Sequence, residues 1–237
     1  MSVEMELHVS VLGPVMLVVG TAALAYLLGC VNGSILVSKY IFRDDIRTHG
    51  SGNAGLTNFY RTYGTKGVVG VLACDILKAM LAVIAGGVLF GSDLNVFLIN
   101  LFSSGVSQEE LAMLGKIWAT IFVLLGHMYP ITFQFKGGKG VLSGVSALLL
   151  VDWRVALIAL GVFFVLVFLT RYVSLGSIGA VVTFVVVLWF VYHNVAYECL
   201  GAVAGGLVVF AHRANIVRLL HGTENKFSLH RKEAEKK

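Results

Sequence analysis

Six apolar runs, residues 11–33, 68–90, 111–132, 154–170, 177–193 and 195–211, each approach the length at which a helix crosses a bilayer. A hydrocarbon core needs ~20 helical residues to be spanned. Inside it only a helix or a closed barrel satisfies its own backbone. A chain with these runs is therefore expected to be an all-α integral membrane protein. A seventh run, 141–153, is short and lies between Lys139 and Arg154; counting it gives about seven transmembrane helices. The ten residues 94–103 read as an interfacial or re-entrant piece. Composition supports this class: 13% of residues are charged, against ~25% in soluble domains. The flank Met1–Ser10 carries Glu4 and Glu6 and no Lys or Arg, the wrong charge for a signal peptide, so the first run reads as a retained helix.

Basic residues set the orientation, because Lys and Arg are held on the cytoplasmic side. Segments 34–67, 133–140, 171–176 and 212–237 together hold fifteen of the eighteen Lys and Arg residues. The connections 91–110 and 192–198 hold none. The N-terminus is expected outside and the C-terminus in the cytoplasm, with residues 1–226 forming one membrane-embedded domain and 227–237 a basic tail. The net charge of +5 is then a topology signal. A nucleic-acid partner is not indicated, since no basic stripe is interleaved with stacking aromatics.

Unusual polar and glycine-rich sequence is confined to the basic connections, which places the expected active site at the cytoplasmic face. The first cluster is His49-Gly-Ser-Gly-Asn-Ala-Gly-Leu-Thr-Asn-Phe-Tyr-Arg61. Its glycines can turn backbone N–H groups toward an anion, Ser51, Asn53, Thr57 and Asn58 add donors, and Arg61 supplies a planar fork for phosphate. The bland alternative is a polar turn in which Thr57 or Asn58 caps a helix. The second cluster is Gly126-His-Met-Tyr-Pro-Ile-Thr-Phe-Gln-Phe-Lys-Gly-Gly-Lys-Gly140. Gly137, Gly138 and Gly140 bracket Lys139, and Lys136 lies just before them. Gly140 follows Lys139, so the magnesium-binding hydroxyl of a Walker A loop is missing. The third cluster is His212-Arg-Ala-Asn-Ile-Val-Arg-Leu-Leu-His-Gly-Thr-Glu-Asn-Lys226. On a helix His212, Asn215 and Arg218 share a face, and Gly222-Thr-Glu224 breaks it and returns the chain. A histidine there can relay a proton; an amphipathic interfacial helix would look similar.

Two ionisable residues, Asp75 and Lys78, lie inside a span at i, i+3 and are expected to face each other or the bundle interior. Ser174 and Ser177 follow Arg171 at a span start, where each can donate to an anion or cap the helix. Cys30, Cys74 and Cys199 read as inert thiols. His193 and Glu198 form an H-x4-E pattern, whereas soluble phospholipid acyltransferases use H-x4-D. No G-x-S-x-G elbow and no metal-ligand spacing occurs, so neither a covalent serine, a metal nor a cofactor is expected.

Taken together, Gly50-Ser-Gly-Asn-Ala-Gly-Leu-Thr-Asn58 with Arg61, Gly126-His127 with Phe135-Lys-Gly-Gly-Lys-Gly140, and His212-Arg-x-Asn-Ile-x-Arg218 with Gly222-Thr-Glu224 resemble the bacterial acyl-phosphate-dependent glycerol-3-phosphate acyltransferases, the PlsY-type family. Asp45-Ile-Arg47, the Asp75 and Lys78 pair and Arg171-Tyr-Val-Ser174 are similar to it too, and the resemblance runs from about Leu27 to Lys226. It implies a multi-pass protein of the bacterial cell membrane, in contact with its lipid. It also implies acyl transfer from acyl phosphate to the primary hydroxyl of glycerol 3-phosphate, giving lysophosphatidic acid and phosphate. On that basis Ser51 and Arg61 are expected to hold a phosphate, with Asn53, Thr57, Asn58 and Lys136 beside it. Lys139 with the Gly137 and Gly138 amides is expected at the acyl-phosphate head and its oxyanion. Ser177 or Ser174 and Arg218 are expected at the second phosphate, with Asn215 and Glu224 positioning glycerol 3-phosphate. His212 is the candidate base, a substrate phosphate oxygen being the alternative. The competing class is an organophosphate or anion transporter.

Overall fold

The computed structural model describes residues 2–100 and 105–227, with side chains from residue 12 onward. The last residues of the 94–103 stretch and the expected tail beyond Phe227 lie outside the described residues. Among the described residues there are eleven α-helices and no strand: α1 Ser2–Gly29, α2 Gly33–Ile41, α3 Leu56–Tyr63, α4 Val68–Phe90, α5 Asp93–Asn100, α6 Gln108–Met128, α7 Val141–Val151, α8 Trp153–Thr170, α9 Val173–Tyr192, α10 Val195–Ala211 and α11 Arg213–Leu220.

Five segments are long and apolar enough to span, and a sixth if α10 and α11, bent by 58°, are counted as one. The run expected as a seventh span forms α7, which has eleven residues. At ~1.5 Å per residue that is ~16 Å, about half of a hydrocarbon core. The helix starts at Gly140, whose φ of +77° favours glycine, and stops at Asp152. That carboxylate instead caps α8, accepting from the Arg154 and Val155 amides.

The central element is α6, whose apolar window is 67% buried where the other spans reach at most 33%. It packs against α1, α4, α7 and α10. Lipid tails are as apolar as leucine, so such helices associate by close packing of small residues. A side chain at Gly115 would run into the Gly86 carbonyl of α4, and one at Gly126 into the Tyr26 carbonyl of α1. The far end of α6 begins with a capping box, Ser107 and Glu110 each closing on the other's backbone. At its near end, four connections are tied in two pairs. Arg47 forks onto Asp45 and donates to the Phe133 carbonyl at 2.8 Å, and the Phe227 amide donates to the Arg171 carbonyl at 2.7 Å.

Candidate active site

The basic connections enclose a cavity of about 410 Å³. The loop before α3 supplies Ser51, Asn53 and Gly55, and α3 itself Thr57, Asn58 and Arg61. Lys139 and the start of α7 form a second wall, Ser174 and Ser177 of α9 a third, and His212, Asn215, Arg218 and Glu224 the fourth. Asp75 and His127 form part of the lining too. The cavity shares Val141, Val145, Leu160 and Phe163 with an apolar crevice that continues past Leu148, Ala156, Ala159, Val181 and Phe184.

A chain of polar contacts crosses the site. The Lys139 ammonium donates to the Asn215 side-chain oxygen, and the Asn215 amide donates to Glu224 Oε1 at 2.7 Å. Ser174 donates to the same oxygen at 2.8 Å, and Arg218 Nε to Oε2 at 2.7 Å. Burial pushes the Glu224 carboxyl up, but these three donors outweigh it and hold it below its ordinary range. Burial draws the Lys139 ammonium down to about 8; Glu224 opposes this, and the Arg218 and Arg61 charges add to it. The Arg61 guanidinium is exposed, with one 3.5 Å contact to the Asn225 carbonyl. His212 lies at the α10–α11 bend, its Nδ1 2.7 Å from the Val208 carbonyl. A carbonyl only accepts, so Nδ1 carries the proton and the Nε2 lone pair is free to take another.

The sequence matches the family described as glycerol-3-phosphate acyltransferase over residues 19–222. The chain belongs to the glycerol-3-phosphate acyltransferase family. Among curated family members, that of Thermoanaerobacter pseudethanolicus is 38% identical over 206 residues, covering 87% of this chain and 93% of the relative. That of Clostridioides difficile is 38% identical over 208 residues, with 86% and 93% covered. Two crystal structures of PlsY, an integral membrane glycerol 3-phosphate acyltransferase, have the same fold. Its glycerol 3-phosphate form superposes with a TM-score of 0.73 at 31% identity, covering 89% of this chain and 96% of that one. Its lysophosphatidic acid form gives 0.70 at 30%, covering 90% and 96%. This acyltransferase is therefore a multi-pass membrane protein of a bacterial family.

The family's polar residues do not all sit as the sequence suggests. Twelve of the expected residues line the cavity: Ser51, Asn53, Thr57, Asn58, Arg61, Lys139, Ser174, Ser177, His212, Asn215, Arg218 and Glu224. Lys136 does not; it is exposed outside the cavity. The Gly137 and Gly138 amides were expected to face the ligand, but they donate to the Met128 and His127 carbonyls at 3.0 and 3.1 Å. These glycines serve close approach between loops, since a side chain at Gly138 would strike the Ala54 carbonyl at 2.5 Å. One step further on, the uncapped N-terminus of α7 brings helix-end amides to the cavity, where an anion is favoured. Asn58 spends its amide on the first loop, accepting from the Ser51 amide at 3.1 Å and donating to the His49 carbonyl at 3.0 Å. The helix cap there is Gly55, not Thr57 or Asn58. Ser174 donates to Glu224, and Ser177 to the Val173 carbonyl at 2.9 Å, so neither presents a free donor.

Asp75 and Lys78 form the expected buried pair, at 2.8 Å. Their third partner, His127, was missed as a site residue. The sequence marks it as part of the Gly126-His127 motif but gives it no role, and Lys78 is 49 residues away in sequence.

Proposed function

We propose that this protein transfers a fatty acyl group from acyl phosphate to the primary hydroxyl of glycerol 3-phosphate, giving lysophosphatidic acid and phosphate. The observation that carries this reading is the joining of a cationic, hydrogen-bonding cavity to an apolar crevice between α7, α8 and α9. Both substrates carry phosphate and one carries a fatty tail. Arg61, Lys139 and Arg218 match the phosphates, and the crevice matches the tail. The donor is a mixed anhydride, already activated, so positioning and charge stabilisation suffice.

In the step, the substrate hydroxyl oxygen attacks the acyl carbonyl carbon. Its proton passes to His212 Nε2, and the carbonyl electron pair moves onto oxygen. Collapse of that oxyanion restores the carbonyl and breaks the bond to phosphate, which leaves with the electron pair. The His212 proton then passes to the departing phosphate. Ser51 and Arg61 hold one phosphate and Lys139 with the α7 N-terminus the other. Glu224, fixed by Asn215, Ser174 and Arg218, orients glycerol 3-phosphate. Residues 1–226 act as one membrane-embedded domain, with the N-terminus outside and the C-terminus and cavity at the cytoplasmic side.

The test offers purified protein acyl phosphate, acyl-CoA or acyl-carrier protein with glycerol 3-phosphate. Turnover is expected with acyl phosphate and little or none with the thioesters. Robust acyl-CoA turnover without added acyl phosphate would refute the donor assignment. Uptake of glycerol 3-phosphate into sealed vesicles without acylation would favour the transporter.

A further inference from the structure

Lys78 is buried beneath the cavity with four oxygen or nitrogen partners. Its ammonium meets Asp75 Oδ1 at 2.8 Å, the Val31 and Gly29 carbonyls at 2.7 and 3.3 Å, and His127 Nδ1 at 2.8 Å. An ammonium only donates, so His127 Nδ1 is the acceptor and the ring proton sits on Nε2. Asp75 Oδ1 also takes the Gly33 amide at 3.1 Å, which ties the pair to the start of α2. His127 is 3% exposed and lines the cavity together with Asp75. Nothing among the described residues accepts its Nε2 proton, and the ring forms part of the cavity wall. It sits behind Gly138, beside Lys139 in the chain, where a side chain would displace it.

This matters because the amides expected at the oxyanion, those of Gly137 and Gly138, already serve the Met128 and His127 carbonyls. The reaction needs a donor for the charge that develops on the acyl carbonyl. We propose that His127 is that donor: its Nε2–H, fixed by Lys78, meets the oxyanion, and Asp75 with Lys78 are the residues that position it. This rests on the acyl-transfer reading above. A neutral imidazole suits the task, since it donates without giving its proton away. Lys78 fixes the tautomer, and the helix-end position of His127 at Met128–Tyr129 fixes the ring. His212, whose Nδ1 is the protonated nitrogen, has the opposite tautomer and the opposite task, taking a proton where His127 lends a hydrogen bond.

The test compares wild type, His127→Gln and His127→Leu in detergent, with acyl phosphate and glycerol 3-phosphate varied separately. Gln keeps an N–H near the Nε2 position and Leu keeps neither nitrogen. The Leu variant is expected to lose kcat by about 10²–10³-fold, the usual effect of deleting one such donor, with both KM values within a few-fold of wild type. The Gln variant is expected to recover most of that loss. Equal losses in Gln and Leu, or a change in KM alone, would overturn the assignment. Nitrogen NMR of histidine-labelled wild type needs no variant. Nε2 of His127 is expected protonated, with its proton moving downfield when an acyl phosphonate is added; an unprotonated Nε2, or no response to the phosphonate, refutes the proposal. If wild type acylates glycerol 3-phosphate only from a thioester, the donor reading fails instead, and the same comparison is run on that thioester, whose carbonyl makes the same demand.

Discussion

Lys139 holds the site's charge together while its own charge is weakened by burial. With its ammonium drawn down to about 8, it is charged below that pH and neutral above it. kcat/KM, which reports the free enzyme, is therefore expected to fall as pH rises through about 8, and Lys139→Arg is expected to move that limb upward. A profile unchanged by Lys139→Arg would assign the limb to another group. Lys139→Ala removes a charge-assisted contact, of order ~1.5–3 kcal/mol, or about tenfold to a hundredfold in kcat/KM. Arg61→Lys keeps charge and topology but loses the fork; a several-fold loss of activity is expected, and full activity would reduce Arg61 to a flanking charge. For His212→Ala, a loss of kcat that added glycerol 3-phosphate cannot rescue is the expected result. A raised KM alone would make a substrate oxygen the base. At this scale the sequence was legible in which residues gather at the cavity, as Ser51, Arg61, Lys139, His212 and Glu224 do. It was opaque where the question is which partner takes a hydrogen bond. Nothing in Lys-Gly-Gly-Lys says that the two glycine amides serve their own chain, or that Asn58 closes on the Ser51 amide.

Among the elements, α6 carries the fold and positions the site. It brings His127 to Lys78 of α4, and its Gly115 and Gly126 let α4 and α1 approach. Gly115→Val would place carbon against the Gly86 carbonyl and Phe90. Overpacking of this kind costs about 1–3 kcal/mol, so a lower melting temperature in detergent is expected, with activity of the folded fraction retained. An unchanged melting temperature would mean that α4 and α6 can separate freely. The long spans were legible because length and hydropathy act on each helix alone. The role of run 141–153 was not, since half a span is tolerated only where neighbours bury it. In α7 its Ser143, Ser146 and Ala147 are buried. Its half-buried start also brings uncapped helix amides to the cavity wall, a consequence of the Gly140 turn rather than of any motif.

Across the whole molecule, the arrangement separates a polar basic end from a bare one. Reporters fused after Asp93 and Glu198 are expected to score outside, and those after Lys66, Lys139 and Lys237 inside. An inside score for the 91–110 connection would move the cavity to the other face. The basic end was legible because charge asymmetry acts on every loop alike. That it encloses one cavity was not, since the enclosure depends on Arg47 reaching Phe133 and Glu224 folding back onto α9 and α11. The central claim is that this one cavity joins an activated fatty acid to glycerol 3-phosphate. Its most direct measurement follows inorganic phosphate and acylated glycerol 3-phosphate together, in purified protein given both substrates. The two are expected to appear one for one, and neither when either substrate is withheld. Phosphate release without glycerol 3-phosphate, or acylated product without phosphate, would contradict the account.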